Sequence, residues 1–542
     1  MAESGQKFEF YGGPTDESVE NNCRSLGELI IKRLAENGDD NGFIDGVTGE
    51  SATYRDILEQ SVRLGNRFHR IGFKKNTVIA IICENRLELA LVAFAATYMN
   101  AIPTFLSPSY TLSELEHVLK LIQPRAVFVS PKALETLLQV SSKIPSIKMI
   151  ALFGTENPKK RVTLFKHLFD YNKLKNARKF VPQPVNLKEQ VALMVLSSGT
   201  TGLPKAVQLT HYNVMAVLAY MRHNIKKSPL PANLRSLAIL PFYHVYGFMV
   251  LLGSLCHKRE LVSLPWFEPN LFLSTIEKYK IASAALVPPL MVFLAKHPLV
   301  DKYDLSSLLA IGCGAAPLGK EVEEMVQKRL PNLLMITTGY GMSESSLGVL
   351  TRMTGKAGSV GRVNLMSWVK IIDVDSGKTL GPHQVGEICV KGPLVMKGYL
   401  DNEEETRSAI DAEGWLHTGD TGYFDEDGDF FIVDRIKDLI KCKGFQVAPA
   451  EVEAVLLANP KIKDAAVIGI PDSECGELPL AFVVVQPGVE TGENEVKLWV
   501  AERLSKHKHL RGGVRFVGEI PKTASGKILR RELRKFLLKS KI

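Results

Sequence analysis

The sequence predicts an α/β protein: a large N-terminal domain of mainly parallel sheets, a small β-rich region at its end, and a small α+β C-terminal domain. Three observations carry this reading. Apolar strand-like runs alternate with helical patterns through the first part of the chain, short strands and turns take over near Trp368, and α/β spacing returns after Asp434.

Residues 78–83, 126–130 and 148–153 are strand-like, and residues 87–99 and 112–121 carry helical patterns between them. In the β-rich region, residues 369–373 and 386–391 read as strands. The segment F-D-E-D-G-D-F-F, residues 424–431, invites comparison with a calcium loop, but Gly428 comes too early and the closing Glu is missing. It predicts a hairpin turn instead. Farther on, residues 450–458 and 493–504 predict helices, and residues 465–470 and 480–485 strands. The division falls between residues 1–434 and 435–542.

A chain of 542 residues has room for a large core, a further domain and a deep pocket. Hydrophobic residues at 45% and charged residues at 23% exclude disordered, collagen-like and coiled-coil classes. The net charge of +9 is concentrated in residues 503–542, where 13 Lys or Arg face Glu519 and Glu532 alone. Neither an aromatic-interleaved groove nor zinc spacing accompanies that charge, so a solvated basic helix face is preferred to a nucleic-acid site. The seven cysteines are scattered and never form C-x-x-C, which suggests neither a disulfide framework nor a metal site and fits a reducing compartment. No secretory signal is visible at the N-terminus. The longest apolar run, residues 238–256, contains Pro241, Tyr243, His244, Tyr246 and two glycines, so it reads as buried core lining a pocket rather than a membrane span. Ser540, Lys541 and Ile542 form a conservative variant of the S-K-L address, from which a peroxisomal import receptor and a peroxisomal location are expected.

The most informative stretch, residues 197–205, reads S-S-G-T-T-G-L-P-K and follows an apolar strand. Gly199 and Gly202 let the backbone approach a phosphate, Ser197, Ser198, Thr200 and Thr201 supply hydroxyls, and Lys205 supplies a point charge. A Walker A loop is excluded, because Lys205 does not follow a glycine and residues 206–210 are strand-like. In isolation the stretch would read as a Ser/Thr-rich surface turn.

Residues 311–318, I-G-C-G-A-A-P-L, leave a flat slot for a planar ring. Residues 337–344, T-T-G-Y-G-M-S-E, bring the aromatic face of Tyr340 and the oxygens of Glu344, which suit a hard cation such as Mg2+. Taken singly, Tyr340 fits a core and Glu344 a solvated surface. In G-W-L-H-T-G-D-T-G-Y, residues 414–423, the Asp420 carboxylate can accept from both hydroxyls of a ribose or make its own turn. Arg435, Lys437, Lys441 and Lys443 gather near Gly444, and P-K-T-A-S-G-K-I-L, residues 521–529, sets Lys527 on a glycine-bearing turn ahead of a basic helix.

These six blocks, in this order across about 330 residues, resemble the adenylate-forming superfamily of acyl-CoA synthetases, coumarate ligases and beetle luciferases. The resemblance covers essentially the whole chain. It implies a luciferase-like fold with a mobile C-terminal lid and a site for ATP, Mg2+ and CoA. By that resemblance Ser197, Ser198, Gly199, Thr200, Thr201, Gly202 and Lys205 wrap the ATP phosphates. Gly314, Ala315, Ala316 and Tyr340 bind adenine, and Thr338, Gly339, Gly341 and Met342 belong to the same nucleotide site. Asp420 and Arg435 fix the ribose, Ser343 touches the α-phosphate, and Glu344 holds the metal.

Lys527 is implied as the catalytic residue that bridges the acid and the α-phosphate. His244, in P-F-Y-H-V-Y-G, resembles the family histidine that positions the acid or phosphate; the alternative is a histidine satisfied within an apolar core. The family rotates its small domain about a hinge, here at Lys437, exchanging Lys527 for the face carrying Lys441, Lys443 and Gly444, where CoA enters. Phe248 and Leu347 are expected in the acyl pocket.

Three departures matter. Ala206 stands where many members have glycine, Tyr243 where luciferases usually have a second histidine, and Leu347 where beetle luciferases usually carry serine. Together with the S-K-I terminus, Leu347 favours an insect luciferase-like fatty acyl-CoA synthetase acting on a medium- or long-chain acid. The rivals are a luciferase, a coumarate-type ligase, and a sensor that binds acyl or nucleotide ligands without turnover; intact Lys527, Glu344, Asp420 and Lys205 argue against the last.

Overall fold

In a computed structural model of the chain, the described residues are 8–14, 22–154, 161–169, 181–198, 204–231, 233–442, 445–472, 475–523 and 526–539. Gly199, Thr200, Thr201, Gly202, Lys443, Gly444 and the segment Ser540, Lys541, Ile542 lie outside them.

Four sheets form from the described residues. The first has eight strands in the order Gly398–Tyr399, Pro204–Thr210, Val191–Ser198, Ile102–Leu106, Val78–Ile82, Ala126–Val129, Met149–Leu152, Val162–Leu164. It is parallel from Val191–Ser198 onward. Its strands Val78–Ile82 and Ala126–Val129 have both faces covered, which is why they appear as unbroken apolar runs and not as alternation.

The second sheet has nine strands, and its parallel part runs Met335–Tyr340, Ala310–Cys313, Ser283–Leu286, Ser236–Ala238, Leu261–Ser263, Asn41–Asp45. Helix Val245–Cys256 packs on it, and helix His211–Lys227 packs against that helix and the first sheet. Helix His211–Lys227 follows strand Pro204–Thr210 without a loop, because Thr210 accepts the N–H of Asn213 at 3.1 Å and Asn213 accepts that of Thr210 at 2.7 Å, a reciprocal cap.

The third sheet is antiparallel: Glu9–Tyr11, Trp368–Ile372, Gly386–Lys391, Leu416–Phe424, Phe430–Arg435. Its last two strands form the hairpin expected at F-D-E-D-G-D-F-F. Asp425 Oδ1 closes the turn by accepting the N–H groups of Asp427 and Asp429, each at 3.0 Å.

The fourth sheet uses only later residues: Phe445–Val447, Ile440–Cys442, Gly476–Val485 and Ile462–Asp472, with Gly513–Phe516 parallel to Gly476–Val485. It has its own apolar core around Val452, Val467, Val483 and Val496. Lys296, at the end of helix Pro288–Lys296, docks this unit: its Nζ donates to the carbonyls of Leu457, of Asn459 at 2.9 Å and of Ile462 at 2.9 Å.

Inside the small unit Arg530 is the electrostatic centre. Its Nη2 lies 2.8 Å from Glu453 Oε1 and its Nε donates to the carbonyl of Val467 at 3.2 Å. Burial pushes the Glu453 carboxyl up to about 7 even with Arg530 beside it. Removing the guanidinium would strand that carboxylate. Arg530→Met is expected to cost about 3–5 kcal/mol in urea unfolding, whereas Glu453→Leu with Arg530→Met should recover most of the loss. Equal losses in the single and double variants would show that the pair does not act as a unit.

Candidate active site

A cavity of about 770 Å³ opens between the second sheet, the two helices beside it, the hairpin of the third sheet and the turn carrying Lys527. Its mouth is polar. Asp420 faces Arg435 in the hairpin register, and Arg435 Nε lies 3.4 Å from its Oδ1. Tyr340, the last residue of its strand, donates its hydroxyl to Asp420 Oδ2 at 2.8 Å. Burial pushes the Asp420 carboxyl above its usual range, opposed by Arg435, by the Tyr340 hydrogen bond and by Lys527.

Lys527 is held by its own turn: its N–H donates to Thr523 Oγ1 at 3.1 Å, and its carbonyl accepts the N–H of Thr523 at 2.8 Å. Burial and then Arg435 lower its pKa to about 8, while Asp420, Asp438 and Glu344 pull the other way. The result is an ammonium poised near neutrality at the mouth.

A second polar chain lines the wall. Tyr399 donates to Glu344 Oε1 at 3.0 Å, its ring lies 5.1 Å from Lys205 Nζ, and Lys205 pairs with Glu405 at 2.7 Å. Ser197 is opposite Lys205 in the strand register, and its buried Oγ has no partner among the described residues. An orphaned hydroxyl beside a lysine is a donor awaiting an oxyanion. The carboxylate of Glu344, on the same cavity wall, has the hard oxygen donors that fit Mg2+.

The structure brings most sequence-predicted residues to this one cavity. Thr338, Gly339, Gly341, Met342 and Ser343 line it beside Tyr340 and Glu344, as do Gly314 and Ala315. Gly341 is required: a Cβ there would stand 1.6 Å from the Leu347 carbonyl oxygen, so only glycine lets the following turn fold back and place Leu347 on the wall. His244 also lines the cavity. It stands just before helix Val245–Cys256 with its ring 4.8 Å from that of Tyr243, and burial pushes its pKa down to about 4. At neutral pH it is an uncharged imidazole. Lys437 is exposed at the rim. Ser198 ends its strand beside Ser197.

Three residues fall elsewhere. Phe248 packs against Phe105, ring centroids 4.3 Å apart, and does not reach the cavity. The helix shows Tyr246, Val250, Gly253 and Ser254 to the cavity, and Phe248 lies roughly 200° around from Tyr246. Ala316 is turned off the wall after Ala315, whose φ is +72°. Lys441 is exposed, away from the cavity, with its N–H bonded to Glu477 at 3.0 Å.

Sequence reasoning missed Tyr399 and Glu405, which carry no motif; the run Glu403, Glu404, Glu405 reads as a solvated helix face. It also missed the roles of Tyr246 and His417, although both lie inside quoted blocks. Glu387, Cys389 and His417 place possible ligand atoms within 4.8 Å of one another, but His417 Nδ1 already meets Glu387 Oε2 at 3.0 Å, and burial pushes the Cys389 thiol up to about 12.

The AMP-binding enzyme family matches residues 31–400, and the AMP-binding enzyme C-terminal domain matches residues 451–527. The chain is 40% identical over 524 residues to luciferin 4-monooxygenase of Photuris pensylvanica, covering 95% of this chain and 96% of the relative. It is 37% identical over 525 residues to probable 4-coumarate–CoA ligase 3 of Dictyostelium discoideum, covering 95% of each. An anthranilate CoA ligase solved with anthranoyl-AMP shares the fold, with a TM-score of 0.85 at 22% identity over 96% of this chain and 98% of that one. With both parts matched and the blocks converging on one cavity, the chain belongs to the family of AMP-binding enzymes.

Proposed function

We propose that the protein joins an aliphatic carboxylic acid to AMP and then passes the acyl group to the thiol of CoA. The observation that carries this reading is Lys527 at the mouth of the cavity, beside Asp420, Arg435 and Tyr340, with a slot of mainly apolar side chains behind it. In the first step an acid oxygen attacks the α-phosphorus of ATP, the bond to the bridging oxygen breaks, and pyrophosphate leaves. Lys527 stabilises the charge shared by acid and α-phosphate, Asp420 holds the ribose hydroxyls, and Lys205, released from Glu405, takes a phosphate oxygen. Mg2+ bound by Glu344 would neutralise charge on the phosphates. The neutral His244 supplies a hydrogen bond without adding charge.

In the second step the CoA sulfur attacks the acyl carbonyl and AMP departs. Lys527 occupies the mouth in this structure and Lys441 does not, a placement suited to the first step. Rotation at Lys437 would bring the Lys441 face inward for the second. A luciferase reading is favoured by the identity to luciferin 4-monooxygenase, and Leu347 on the cavity wall counts against it because an apolar side chain there suits an aliphatic tail.

Lys527→Ala should slow pyrophosphate release at least about a hundredfold, the scale of losing a preorganised transition-state contact. Lys527 acts as a cation, so kcat/KM of the free enzyme should fall as pH rises through about 8. Lys527→Arg stays charged and should lack that limb. An unchanged limb in the arginine variant would remove Lys527 from the titration.

Val250→Phe should shift turnover toward shorter acids by roughly tenfold, whereas Phe248→Leu should lower stability by about 1 kcal/mol without changing the preference. A panel of fatty acids, cinnamic acids and luciferin, followed by pyrophosphate release, CoA consumption and light, decides the acid. Bright emission with luciferin and no turnover of aliphatic acids would overturn the proposal.

A further inference from the structure

The cavity does not end in an apolar wall. Ser236, Ser283, Ala310 and Met335 are in register across the N-terminal ends of four parallel strands, and all four line it. Cys313 and Thr338, three residues farther along two of those strands, line the nucleotide end. Three residues of strand make about 10 Å, so the slot runs the length of the sheet. The helices close it with matching stripes, Tyr220, Met221, Asn224 and Ile225 on one and Tyr246, Val250 and Gly253 on the other.

The far end is polar. Ser236 Oγ and Ser283 Oγ are 2.6 Å apart, the Ser236 N–H donates to the carbonyl of Glu260 at 2.8 Å, which brings the neighbouring Arg259 to this end, and Asn224, Ser228 and Arg259 line the same cavity. Arg259 follows helix Val245–Cys256, fixed by its N–H to the Ser254 carbonyl at 3.0 Å. Glu260, next in sequence, turns its Oε2 to Arg235 at 2.6 Å and leaves its Oε1 without a hydrogen-bond partner, and Asp40 pairs with Lys258 at 2.6 Å. Among the described residues no carboxylate forms an ion pair with Arg259, and its buried Nε has no partner. Burial lowers its pKa without any offsetting charge. His257 beside it is held neutral by burial and by Arg33, Arg222 and Arg259. A part-buried guanidinium without an anion is costly and is accounted for if the anion arrives with the ligand.

We propose that Arg259 anchors a second carboxylate at the tail of the substrate, so that the acid adenylated here is a medium-length α,ω-dicarboxylic acid. The inference rests on the proposed acid-activating function. One carboxylate meets Lys527 and the nucleotide, the methylenes lie against Val250 and Ala285, and the other carboxylate meets Arg259 and the Ser236–Ser283 pair. A monocarboxylic acid of equal length would leave the guanidinium buried against a methyl group.

The test compares octanoic with octanedioic acid and decanoic with decanedioic acid, by ATP-dependent pyrophosphate release, in the wild type and in Arg259→Met. In at least one pair the wild type should favour the dicarboxylic acid by about tenfold in kcat/KM, the worth of one charge-assisted contact. Arg259→Met should reverse the preference, losing the dicarboxylic acid and gaining the monocarboxylic acid, and the gain itself shows that the variant is folded. Wild-type preference for the monocarboxylic acid in both pairs, or the same ratio in an active variant, overturns the role of Arg259 and leaves the ligase proposal standing. If neither kind of acid releases pyrophosphate while an aromatic acid does, the aliphatic ligase proposal falls and the inference falls with it.

Discussion

The Asp420 carboxylate sits where three units of the structure converge, and each of its neighbours comes from a different direction. Arg435 is its partner across the hairpin, Tyr340 arrives at the end of a parallel strand in another sheet, and Lys527 comes from the small C-terminal unit. Burial favours the neutral acid, and these three groups favour the carboxylate. The dependence is mutual, since Asp420 also favours the charged form of Lys527 against burial and Arg435. The charge at the mouth therefore depends on how the small unit is docked. Undocking would hydrate Lys527, raise its pKa and remove one of the groups that keep Asp420 ionised.

The small unit does not depend on that docking for its core. The core of the small unit, around Val452, Val467 and Val483, is its own, and Leu457 is among the few apolar side chains shared with the large one. What joins them is largely polar and directional. Lys296 meets three carbonyls, and Gly526 takes a left-handed φ of +82° close to Pro289, where a Cβ would sit 3.3 Å from the ring. Burial lowers the Lys296 pKa to about 8, so the contact holds a cation that water would also welcome. Separate cores with a narrow polar interface let a unit move as a rigid body.

Much of the fold was legible because parallel strands covered on both faces leave unbroken apolar runs, and because the chemistry-bearing blocks fall at strand ends and turns. Residues 78–83 became strand Val78–Ile82, and residues 450–458 became helix Pro449–Ala458. The pocket wall was not legible. Helix Val245–Cys256 is apolar nearly all round, so no polar face reveals which side meets the cavity, and Phe248 was placed there when Val250 is the residue that faces it. Glu405 and Tyr399 reach the site only through tertiary packing, and no spacing announces them. Arg259 stood at the end of an apolar run with nothing local to distinguish it from a solvated cation.

The two ends of one sheet do different work, and the strand direction explains why. Parallel strands gather turns at their C-terminal ends, where glycine-rich loops can approach a nucleotide, and Tyr340, Gly314 and Ala315 occupy those positions. The N-terminal ends are reached only through the gap between the sheet and the two helices. Gly253 and Met221 share that gap: a Cβ on Gly253 would stand 2.4 Å from Met221 Cε, the end of a flexible side chain, so a larger residue there would displace Met221 and change the section of the slot. The length of the slot is fixed by backbone, which mutation of side chains hardly alters, while its section and its far end depend on Met221, Val250, Gly253 and Arg259. Adenylating chemistry at the mouth can therefore stay constant while the identity of the acid is set some distance away, by residues that never touch the reacting phosphorus.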